Sequence, residues 1–138
     1  MRRAIATILF GSLFAGLGGG TAFSAPNGAE RPWRASGTGI GVFTDDGFVI
    51  DGTSINTYLG KATFHAESTS DGGLISTVTA ANGDELIIVA SPAGQFSFAG
   101  GTGRFEDASG TLTNTSVDEF LPGGVFTVEF SQEGTITL

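Results

Sequence analysis

The sequence predicts an all-β fold: a single antiparallel meander of about eight or nine short strands that closes into a barrel. Three observations carry this. From Ala35 onward apolar and polar residues alternate with period two. Clusters of Gly, Asn and Asp interrupt the alternation at roughly the 8–12-residue spacing of sandwiches and barrels. No window shows the 3.6-residue stripe of an amphipathic helix. Closure follows because a meander with nothing to cover its edges removes unpaired backbone groups by joining its ends.

In order along the chain, residues 1–24 read as a secretory signal peptide. Arg2 and Arg3 precede an apolar run from Ala4 to Leu17, which gives way to small residues. Cleavage fits after Ser24, with Ala22 and Ser24 as the small pair, or after Ala22, with Gly20 and Ala22, placing the new terminus between Ala22 and Ala25. The run is shorter than the roughly 20 residues that span a bilayer, so the expectation is a secreted or periplasmic protein without a membrane anchor after processing. Residues 25–35 read as an extended lead-in containing Pro26, Pro32 and the only Trp, Trp33, which either plugs one barrel end or packs on the outer wall. The barrel domain follows over 36–138.

Within it the strands are expected at 36–43, 47–52, 55–67, 73–82, 85–91, 95–100, 109–118, 124–131 and 134–138. Thr, Val, Ile and Phe fill them because branched and aromatic side chains suit a pleated surface. Val125 to Phe130 puts Phe126, Val128 and Phe130 on one face, Thr127 and Glu129 on the other. Asn82-Gly83 between two apolar runs is the strongest hairpin signal, read as a two-residue turn with both central residues at positive φ. Asp45-Asp46-Gly47, Asp71-Gly72-Gly73 and Pro122-Gly123-Gly124 mark further turns. The terminal strand 134–138 offers an edge through which copies of the chain would associate as a homo-oligomer.

Composition excludes several functions. The 138 residues carry 14 acids, 6 bases, 23 Gly, 12 Phe and no Cys. A net charge of −8, which becomes −10 once Arg2 and Arg3 leave with the signal, disfavours nucleic acid and anionic membranes. Without Cys there is no disulfide scaffold and no thiolate metal site. Asp45, Asp46 and Asp51 lack the alternating ligands and distal Glu of a calcium loop, so no metal and no cofactor is expected. Adjacent acids such as Asp84-Glu85, Glu106-Asp107 and Asp118-Glu119 read as solubilising turn residues.

The most distinctive segment is Gly100-Gly101-Thr102-Gly103-Arg104-Phe105-Glu106-Asp107-Ala108-Ser109-Gly110. No Gly-Lys-Ser/Thr follows, so it is no phosphate loop. It reads as a strand end, a tight turn and a short helical turn with Phe105 and Ala108 inward and Arg104 paired to Glu106 or Asp107. Together with Asn82-Gly83-Asp84 and the strand Tyr58-Leu59-Gly60-Lys61-Ala62-Thr63, this string resembles the bacterial allene oxide cyclase barrel-like proteins, and is similar to a stretch of the plant dirigent proteins. The resemblance implies an eight-stranded antiparallel barrel with an apolar interior. It brings no catalytic motif, and Tyr58 stands where members often show His.

Three side chains are candidates for chemistry. His65, the only His, titrates near neutrality; it lies inside if Leu59 does and outside if Phe64 does. Tyr58 offers a phenol to a carbonyl or ether oxygen, and Glu129 a carboxylate. No Gly-x-Ser-x-Gly elbow is present. Besides an oligomeric surface or matrix component paired through strand 134–138, two functions remain. One is a binding or structural barrel that holds a small apolar molecule without covalent chemistry. The other is an isomerase or cyclase without cofactor that folds an apolar substrate for reaction by proximity, using Tyr58, His65 or Glu129.

Overall fold

A computed structural model describes residues 4–10 and 29–138. The described residues form nine strands: β1 (Ala4–Phe10), β2 (Glu30–Thr44), β3 (Gly47–Asn56), β4 (Gly60–Ser68), β5 (Leu74–Ala80), β6 (Glu85–Ala90), β7 (Phe96–Gly101), β8 (Ser109–Leu121) and β9 (Val125–Thr137). Strands β2 to β9 are a closed antiparallel barrel of eight: each pairs with the next, and β9 closes the ring by pairing with both β8 and β2. Strand β1 is a ninth strand laid on the outer edge of β8, from Ala4↔Phe120 to Phe10↔Asn114. It fits there because β7 reaches β8 only at Leu112 and Thr111, leaving the rest of that edge unpaired by β7. The remainder of the expected signal peptide lies outside the described residues.

The alternation places the side chains as period two requires. Phe126 and Val128 face inward and are buried, Phe130 is half-buried on the same face, and Glu129 faces outward. Several boundaries differ from the sequence reading. The expected strand 55–67 is two strands separated by a turn at 57–59, and 124–131 with 134–138 is the single long β9. That strand is paired on both sides, Gly134 with Trp33 on β2 and with Leu112 on β8, so the terminal residues supply no free edge. Strand β2 starts at Glu30 and takes Pro32 and Trp33 into the wall.

The Asn82-Gly83 turn also differs. Within this turn Gly83 alone has positive φ, at +94°, and among the described residues no non-glycine residue does. The Gly83 N–H donates to the Ala80 carbonyl and the Ala80 N–H to that of Asp84. This is a turn of ordinary hand completed by one left-handed glycine, so a single positive-φ residue suffices where a two-residue turn needs two. The same bond pattern recurs at Thr69–Gly73 and Ser91–Gln95.

The barrel is solid at one end and hollow at the other. Trp33, Leu86, Phe105 and Ile136 are wholly buried and fill the end where β2 begins and β9 finishes. The Trp33 indole meets Phe98 edge-on at 5.0 Å, and its N–H donates to Gln132. Thus Trp33 plugs an end, the first of its two readings. The glycine-rich loop closes the same end: its 3-10 turn (Gly103–Phe105) inserts Phe105, and Ala108 is buried beside it. Arg104 donates to the Tyr58 carbonyl and lies over the Phe105 ring at 4.9 Å, instead of pairing with Glu106 or Asp107. The Thr102 hydroxyl accepts from the Glu85 N–H at 2.9 Å, and the Gly100 N–H donates to the Ala108 carbonyl.

Strand β2 supplies backbone in place of side chains. Gly37, Gly39 and Gly41 alternate inward, and the rings of Phe130, Phe64 and Phe126 lie where their Cβ atoms would be. A Cβ on Gly41 would stand 2.2 Å from the Phe126 ring. These glycines let large rings from other strands lie against the wall.

Candidate functional site

The open half of the barrel encloses a cavity of about 350 Å³, within the size range of small-molecule pockets. Its mouth lies among the 45–46, 69–73, 91–95 and 122–124 hairpins. One wall, from β4 to β7, is mainly apolar: Phe64, Ala66, Leu74, Val78, Ile88, Ala90 and Phe96, with Ser68 and Ser76 as polar exceptions on its strands. The facing wall carries polar groups. On β8 the inward residues are Asn114, Ser116 and Asp118, joined by Ser54 and Asn56 of β3 and Gln132 of β9.

Most of these polar groups satisfy one another. Asn56 Nδ2 donates to Ser54 Oγ at 2.9 Å, and Gln132 Nε2 donates to Asn114 Oδ1 at 3.0 Å while Gln132 Oε1 accepts from Trp33. Asp118 is different. Its side chain lies inside, 5% exposed, and Oδ1 has no hydrogen-bond partner. Loss of water pushes its carboxyl above the usual carboxylate range, partly opposed by a hydrogen bond with Ser116. Among the described residues it is the one ionisable side chain on the cavity wall.

Above Asp118 the mouth is aromatic. Phe43, Phe48, Phe120 and Phe126 cluster with ring centroids between 4.9 and 6.4 Å apart. Phe120 is the next inward residue after Asp118, and Phe126 pairs with Phe120 across β9.

The three sequence candidates all lie elsewhere. Phe64 is inside, so His65 is outside, by the alternation that left its side open. Its Nδ1 lies 2.6 Å from Asp51 Oδ1 and its Nε2 2.9 Å from Glu67 Oε2. The hydrogen bond to Asp51, then that to Glu67, raises its pKa. Glu129 is exposed on the outer face. Tyr58 packs against the core from the 57–59 turn, outside the cavity wall. The motif residues Asn82, Gly83, Asp84, Gly100, Gly101, Thr102, Gly103, Arg104, Phe105, Ala108 and Gly110 belong to the closed end and are equally remote from the cavity.

His65 gives a pH-dependent but small effect. A raised folded pKa contributes stability that is complete below the unfolded value near 6.5 and fades as pH rises through the folded value. Its side chain is 47% exposed, so solvent screening holds the contribution under about 1 kcal/mol. Thermal melts of His65→Gln should lie a few degrees below the parent at pH 5.5 and coincide with it at pH 9. A large loss at pH 9 would show a packing role instead.

Sequence reasoning missed Asp118 by pairing it with Glu119 as turn acids. Strand β8 runs on to Leu121, so Asp118 is mid-strand and the two acids face opposite sides. The available signal was parity from Leu112: 112, 114, 116, 118 and 120 share the inner face.

Searches against family models, curated proteins and solved structures find no match for this chain.

Proposed function

We propose that this protein is an exported barrel that binds a small apolar molecule in its open half, without covalent chemistry. The cavity supports this reading more than any other observation. It is of ligand size, its exposed lining is mostly hydrocarbon and aromatic, and its polar groups gather chiefly on one wall, where they can fix orientation. The resemblance to allene oxide cyclase-like barrels accords with an apolar interior. Export rests on the Arg2-Arg3 leader and its following apolar run. The isomerase or cyclase alternative required Tyr58, His65 or Glu129 beside the substrate, and none of the three lines the cavity.

Titration of the 25–138 domain with a panel of fluorescent lipids and terpenoids tests the proposal. Saturable uptake of at least one probe is expected. Ala90→Phe, which fills the apolar wall, should weaken that uptake at least about tenfold while leaving the far-UV spectrum unchanged, since a pocket that has lost its volume loses its contacts. No uptake across the panel, or undiminished uptake by Ala90→Phe, contradicts the proposal.

A further inference from the structure

Resting on the reading of the interior as a ligand site, we propose that the cavity selects a hydrophobic primary amine, whose ammonium group donates to Asp118 Oδ1 beneath the aromatic mouth and whose hydrocarbon body lies against the β4–β7 wall.

Four features of the site converge on this ligand. Asp118 is buried with one oxygen unpartnered, and a buried acceptor without a donor costs free energy that a ligand N–H recovers. Among the described residues no Lys, Arg or His lines the cavity, so none of them pairs with Asp118 there and a ligand can bring the counter-ion. The neighbouring ring cluster of Phe43, Phe48, Phe120 and Phe126 presents aromatic surface, to which cations are drawn when desolvated. The chain's net charge of −8 favours the approach of cations over anions.

A carboxylate ligand fits poorly, because it would place a second acid beside Asp118 in a poorly hydrated space. A neutral alcohol satisfies the same oxygen but gains neither the charge-assisted bond nor the cation–ring attraction. Charge also sets the pH dependence. The ammonium bond needs ionised Asp118, and no other titratable group among the described residues lines the cavity, while Glu119 lies on the opposite strand face. Since burial raises the Asp118 pKa, amine affinity should climb with pH across a window above the usual carboxylate range and then level off.

The test compares decylamine, decanol and decanoate as competitors of a bound fluorescent probe, below their aggregation concentrations, at pH 4.5 and pH 8. Decylamine should bind at least about tenfold more tightly than decanol at pH 8, the factor expected of a charge-assisted hydrogen bond. That advantage should shrink at pH 4.5, and decanoate should bind weakest at pH 8. Asp118→Asn should remove the amine advantage over decanol and its pH dependence. Decanol binding without an amine preference, or a preference that survives in Asp118→Asn, overturns the inference but leaves the apolar-ligand reading intact. If none of the three competes and the probe itself is not taken up, both fail together.

Discussion

Replacing Trp33 by alanine is expected to destabilise the domain by about 3–5 kcal/mol, the range for removing a large buried aromatic side chain. In a domain of this size that lowers Tm by roughly 10–25 °C. The indole is wholly buried, meets Phe98 edge-on and donates to Gln132. Its removal opens a void in the solid end and leaves Gln132 Oε1 without that donor. Because Gln132 also donates to Asn114, the loss reaches the cavity floor. Trp33→Phe separates the two contributions, keeping most of the packing and losing only the N–H, at about 1–2 kcal/mol. Circular dichroism melts of both variants check the result. A loss below about 1 kcal/mol for the alanine variant contradicts the assignment of Trp33 as the plug.

Gly41→Ala is the second large effect, at about 1–3 kcal/mol. It adds one methyl group, and that methyl would lie 2.2 Å from the Phe126 ring. Phe126 cannot yield freely, since Phe43, Phe48 and Phe120 surround it with centroids within 5.8 Å. The sharper test is a double-mutant cycle. Phe126→Ala alone opens a void in the mouth, and in its background the methyl at position 41 has space. The double variant should therefore be more stable than the two single losses predict, by at least about 1 kcal/mol. Simple additivity would mean that the ring does not rest on Gly41.

These two residues also mark how far the sequence alone reached. Wherever the inner face is hydrophobic, as in Phe126, Val128 and Phe130, alternation identifies it without coordinates, and the buried Phe105 and Ala108 follow from the loop's short helical turn. At Gly37, Gly39 and Gly41 the wall has no side chain to read, and only the position of rings from other strands explains those glycines. The β3–β4 turn was hidden because Thr57, Tyr58 and Leu59 carry no turn signature, so β3 and β4 read as one strand. Asp118 was hidden for the converse reason. An acid is ordinarily a surface residue, and β8 reverses the usual rule by turning Asn114, Ser116 and Asp118 inward while Val117 is exposed. Such a conflict between local pattern and environment is where function is expected.

The closed end and the open end accordingly do different work. Trp33, Leu86, Phe105 and Ile136 give the barrel a packed base without disulfides. The open end leaves space, and leaves one buried oxygen unpartnered beside it. Apolar cavities of this kind hold xenon, which binds through dispersion alone and needs no matching polar group. A crystal structure of the 25–138 domain under xenon pressure therefore shows whether the barrel interior is hollow. A xenon site is expected inside the barrel, bounded by Phe64, Val78, Ile88 and Phe96. A solid interior, with xenon absent or confined to the outer surface, would contradict it.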